Sequence, residues 1–183
     1  MKTNIPEEIR QRVEKLYTSC RGKTVGMLPV TILHIHADFT LIASGQEATP
    51  ENMWLLEIGS EKTSQEFFRH NPPTPGEVEE AIQTVEDEVM MLSKLLPADS
   101  ALYTTDTAIR HIALQKDNAE NTPEIVLSRP DMEQIFGRLA AIISGRPSSS
   151  DYQPTDNAFA TTLLILREVM FHLKFAEIRI VQK

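Results

Sequence analysis

"ALYTTDTAIRHIALQ" (Ala101–Gln115) decides which class of fold this chain enters. Apolar residues at either end enclose the polar run Thr104–Thr107, a pattern that predicts two short strands joined by a turn. On that reading Arg110 and His111 project from opposite faces of the second strand, because strand side chains alternate. The segments upstream point the same way. Val30–Ala43 is rich in β-branched and apolar residues, which predicts one long strand or two joined by a bend near Ala37–Asp38. "MWLLEIG" (Met53–Gly59) reads as the next strand, and "SEKTSQEFFRH" (Ser60–His70) as a third after a tight turn at Gly59–Ser60. Strands joined by connections this short pair antiparallel. The expected class is therefore α+β, an antiparallel sheet (meander plus hairpin) packed against three or four helices.

The helices are read from caps and periodicity. An N-terminal amphipathic helix (about 4–18) is capped by Thr3 or Asn4, with Pro6, Glu7 and Glu8 in its first turn and an apolar stripe through Ile9, Val13, Leu16 and Tyr17. A longer one begins at Thr74, with Pro75 at its first position and Glu77 in the capping-box register. Val78, Ile82, Val85, Val89, Leu92 and Leu96 form its buried stripe. Ser128 caps a helix that starts near Pro130 and ends at Gly145. A last helix from Thr155 or Asp156 is apolar over a broad arc, which places it in the core or at a dimer interface. "AEIRIVQK" adds an edge strand. The whole chain, 1–183, reads as one domain, with a Ser/Pro-rich connector at about 145–155.

Apolar residues make up 41% and charged residues 24%, the proportions of a globular protein. Eighteen basic against 26 acidic residues give a formal charge of −8. No two basic residues are adjacent, so a nucleic acid would meet net repulsion. No stretch approaches the length and apolarity of a membrane span, and the N-terminus lacks a signal-peptide core. Cys20, the single cysteine, forms no intramolecular disulfide, and a cytoplasmic location is expected.

Candidate chemistry centres on "TILHIHADFT" (Thr31–Thr40). In an extended strand His34, His36 and Asp38 share one face, while Ile35, Ala37 and Phe39 share the other. Histidines at i and i+2 followed by a carboxylate can ligate a divalent transition metal, with further ligands from His70, His111, His172 or the acidic helix. Alternatively the three are the wet face of a half-buried strand. Arg110 is the candidate anion-holding residue. The run Glu86-Asp87-Glu88 reads as a solvated helix face, because consecutive helical side chains diverge by about 100°.

Two fragments imitate a phosphate loop, "CRGKTVG" and "EIGSEKTS", and each lacks a required glycine. "LEIGS" (Leu56–Ser60) resembles the first phosphate loop of the actin-like and exopolyphosphatase ATPases over five residues, with Glu57 where those families carry an aspartate. The competing reading is a hairpin turn at Gly59.

Two functions follow from these features. The first is a small acidic cytosolic binding or accessory protein without a catalytic motif or cofactor, a homodimer or the partner of another protein, binding neither nucleic acid nor membrane. The second is a small metal-dependent or acid–base enzyme centred on His34, His36 and Asp38.

Overall fold

The computed structural model describes residues 5–22, 28–147 and 153–182. Six strands form one sheet: β1 (Val30–Ile35), β2 (Thr40–Gly45), β3 (Asn52–Leu56), β4 (Ala101–Thr104), β5 (Glu124–Ser128) and β6 (Glu177–Val181). Their spatial order is β3-β2-β1-β4-β6-β5. The first three make an antiparallel meander, but β4 runs parallel to β1, and β6 parallel to β4. Only β5 turns back, antiparallel to β6.

This corrects the expected fold class. The sheet is mixed, with a parallel centre, rather than an antiparallel meander plus hairpin. The difference arises in Ala101–Gln115. Residues 101–104 are a strand, yet Thr107–Ala113 form a helix, α4, whose Ile109, Ile112 and Ala113 are buried at helical spacing. A strand followed by a helix crosses over the sheet, whereas two hairpin strands would lie side by side. Ser60–Phe67 is likewise a helix, α2, rather than a third meander strand. The C-terminal strand lies inside the sheet, between β4 and β5, rather than at its edge.

The remaining helices are α1 (Glu7–Arg21), α3 (Pro75–Met90), α5 (Arg129–Ile143) and α6 (Asn157–His172). Thr74 accepts from the Glu77 amide, and the Glu77 carboxylate returns to the Thr74 amide at 2.8 Å, a complete capping box. α3 stops at Met90, short of Leu96, although Leu92 still reaches the core. Ser128 and Asp156 accept from the amides of Asp131 and Phe159, fixing the starts of α5 and α6. The expected caps Thr3 and Asn4 lie outside the described residues. So do Lys23 to Gly26 of the "CRGKTVG" fragment and residues 148–152 of the connector.

Strand alternation divides the core in two. Val30, Ile32, Leu41 and Ala43 face α1, where Val13, Tyr17 and Cys20 cover them. Leu33, Ile42, Leu102, Leu127 and Ile178 face the other way, into a layer built around α6. Leu163, Ile165, Leu166, Val169 and Met170 are all fully buried there, because α2, α3, α4 and α5 surround α6. Its broad apolar arc thus belongs to the core. No helix among the described residues is long and apolar enough to cross a membrane.

Candidate functional site

Because β1 and β4 are parallel neighbours, their carboxyl ends meet at one edge of the sheet. Open α/β sheets place their ligand sites at that edge. His34 is the penultimate residue of β1, and Asp106 stands two residues beyond β4, at the N-cap position of α4. Both are buried, at 9% and 5% exposure. His34 Nδ1 lies 2.6 Å from Asp106 Oδ1, and the Ile35 amide donates to Asp106 Oδ2 at 2.7 Å. The Asp106 amide in turn donates to Thr104 Oγ1 at 3.1 Å. Both carboxylate oxygens are therefore engaged, and the carboxylate is used to orient the imidazole rather than to cap α4.

A carboxylate only accepts, so Nδ1 of His34 carries the proton and Nε2 holds a lone pair. Such a pair can take a proton from water or a hydroxyl while the carboxylate stabilises the resulting imidazolium. The pair opens on a narrow recess beneath α1, lined by Arg12, Val13, Leu16, Ile32 and Thr105.

The other candidates are placed differently. Strand β1 ends at Ile35, so His34, His36 and Asp38 do not share an extended face. The ring of His36 stacks on Phe39 at 4.6 Å, and its Nδ1 lies 3.7 Å from the exposed Asp38 carboxylate. The centroids of His34 and His36 are 6.3 Å apart. Arg110, on α4, is held by Asn121 Oδ1 at 2.6 Å and by the Thr122 carbonyl. Asp106, the residue that engages His34, escapes a sequence reading that makes its surroundings a hairpin turn. The available signal was an aspartate between an apolar strand and a segment of helical periodicity.

"LEIGS" lies at the junction of β3 and α2. The Ser60 amide donates to the His36 carbonyl at 3.0 Å, and those of Glu61 and Lys62 both donate to Ala37 O at 2.9 Å. The amides that would cradle a phosphate are thus consumed by the β1–β2 turn. Gly59 permits this approach: a Cβ there would lie 2.4 Å from Ala37 O. Glu57 pairs with Lys62 at 3.4 Å, and its amide donates to Glu88 at 3.1 Å.

A second cluster lies among the helices. His172 Nε2 is 3.0 Å from Glu168 Oε2 and 3.6 Å from Glu86 Oε1. Arg167 reaches the other Glu168 oxygen at 2.7 Å and Glu133 at 3.2 Å, and its guanidinium lies over the Phe136 ring. Burial holds the Glu168 carboxyl above its ordinary range, against the opposing pull of Arg167 and His172.

No family model and no curated protein matches the sequence. Solved structures do match the fold. A Ppx/GppA phosphatase from Aquifex aeolicus superposes with a TM-score of 0.76 at 18% identity, over 97% of this chain and 60% of that one. An exopolyphosphatase from Cytophaga hutchinsonii superposes with a TM-score of 0.69 at 14% identity, over 94% and 59%. The chain has the mixed-sheet fold seen in these phosphatases and spans about 60% of their length. That likeness corrects the first of the two functions expected above. The structures that share this fold are phosphatases, against the expectation of a binding or accessory protein without a catalytic motif.

Proposed function

We propose that this chain is a phosphohydrolase domain that cleaves a phosphoanhydride or phosphate ester, with His34 as general base and Asp106 as its positioning residue. The observation that carries the reading is the buried 2.6 Å His34–Asp106 pair at the carboxyl edge of parallel strands, in a fold shared with Ppx/GppA phosphatases. In this reading Nε2 of His34 takes the proton of an attacking water as its oxygen bonds to phosphorus. The P–O bond to the leaving group breaks in the same displacement. Arg12, at the mouth of the recess, meets the charge of the phosphoryl oxygens. A cytoplasmic setting fits a single, buried cysteine.

The test is phosphate release from inorganic polyphosphate and from p-nitrophenyl phosphate by the wild type, His34→Gln and Asp106→Asn. The expected result is release by the wild type that falls by about 10²–10⁴-fold in His34→Gln. In Asp106→Asn kcat should fall while KM is retained. Release that is equal in all three proteins, or no release by the folded wild type, would refute the reading.

A further inference from the structure

We propose that Glu86, Glu168 and His172 form a binding site for one divalent transition-metal ion, of which zinc is the type, clamping α3 to α6. The site is independent of the His34–Asp106 pair and lies on the other side of the sheet.

The donor set is the first argument. Two carboxylates and one imidazole suit zinc and its first-row neighbours, whereas magnesium and calcium prefer oxygen alone. One ligand atom each from Glu86, Glu168 and His172 lies within 4.8 Å of the other two. Bonds of about 2.0–2.1 Å arranged tetrahedrally put neighbouring ligand atoms about 3.3–3.5 Å apart. The observed separations from Nε2, 3.0 and 3.6 Å, straddle that spacing, so small side-chain rotations suffice.

Charge and scaffold supply the second argument. Glu168 is 2% exposed, a carboxylate that would cost several kcal/mol to bury without compensation. Arg167 compensates it on Oε1, but that arginine is shared with Glu133, which leaves Oε2 directed at His172. Two carboxylates, Glu133 and Glu168, share the Arg167 guanidinium, and a third, Glu86, stands beside His172, so a divalent ion offsets the excess of negative charge. Glu168 and His172 are separated by one helical turn, at i and i+4 on one face of α6, and Glu86 projects from the neighbouring α3. The Glu86 side chain is 43% exposed, which gives the ion an entry path and leaves room for a water as fourth ligand. Without metal, the Nε2 proton of His172 takes the position of the ion. Binding through Nε2 requires the tautomer that carries its proton on Nδ1.

The experiment is titration of chelator-treated full-length protein with Zn²⁺ alone, read by calorimetry and by thermal unfolding. The variants are Glu86→Gln, His172→Gln and, as a control, His34→Gln. Glu86 is half-exposed, so Glu86→Gln folds. The expected result is one Zn²⁺ per chain, a raised Tm on binding, and affinity at least about tenfold weaker in Glu86→Gln and His172→Gln. His34→Gln should match the wild type. Absence of stoichiometric uptake by the wild type would overturn the site. So would uptake that is unchanged in Glu86→Gln, or that is lost in His34→Gln instead.

Discussion

Among the described residues two imidazole–carboxylate pairs have a buried carboxylate, and they are built in opposite ways. His34–Asp106 joins the ends of two strands, and its carboxylate is held by a backbone amide and, among the described residues, has no ion pair besides the histidine. His172–Glu168 lies along one helix, and its carboxylate is held by a guanidinium, with two further carboxylates close by. In the first pair the carboxylate is satisfied and its task is orientation, the arrangement suited to a general base. In the second the negative charge exceeds the fixed positive charge, the arrangement suited to a cation. The same two functional groups thus acquire different chemistry from the third partner in each case.

Removing the carboxylate measures that difference directly. Glu168→Ala leaves Arg167 with only Glu133 and opens a void against α3, so a loss of about 3 kcal/mol is expected in urea unfolding. Asp106→Ala strands the Ile35 amide and the His34 ring, with an expected loss of about 2 kcal/mol. Equal losses in the two variants would mean that the guanidinium adds nothing. Gly59→Ala tests the support of the first pair alone. Its Cβ would strike the backbone of Ala37–Phe39 at 2.4–2.5 Å, forcing the β1–β2 turn outward at a cost of about 1–3 kcal/mol. The His172 cluster should be untouched by that change.

The smallest expected effect concerns a half-buried carboxylate outside both pairs. Glu77 accepts from the Thr74 and Arg69 amides and from His70, which lowers its pKa to about 2. A depressed folded pKa stabilises the protein above the ordinary carboxylate range and ceases to do so as pH falls toward 2. Glu77→Gln should therefore lower Tm at pH 6 and converge on the wild type near pH 2. Glu168, whose carboxyl burial pushes upward, has the reverse dependence: its ionisation costs stability as pH rises.

Local signals in the sequence located local structure. The Thr74–Glu77 box, the Ser128 and Asp156 caps and the Val30–Ala43 pair of strands are each written in a few adjacent residues. What failed was arbitration between strand and helix in short segments. Residues 107–113 give only two helical turns, and their polar lead-in, Thr104–Thr107, serves equally well as a hairpin turn. A strand at 107–113 would exclude the parallel β1–β4 contact, and with it the approach of Asp106 to His34. Strand order was never local, since β6 enters between β4 and β5 from the far end of the chain. For the same reason Glu86 looks like a solvated residue: its partner, His172, lies 86 positions away, and only the packing of α3 on α6 joins them.

The central claim is that Asp106 fixes His34 in one tautomer at the carboxyl edge of β1 and β4. Long-range ¹H–¹⁵N correlation spectra of the histidine side chains test it most directly, recorded on the wild type and Asp106→Ala. The account predicts that wild-type His34 carries its proton on Nδ1, and that Asp106→Ala releases it to the mixture of an unconstrained imidazole. A proton on Nε2 in the wild type, or a tautomer indifferent to Asp106, would contradict it.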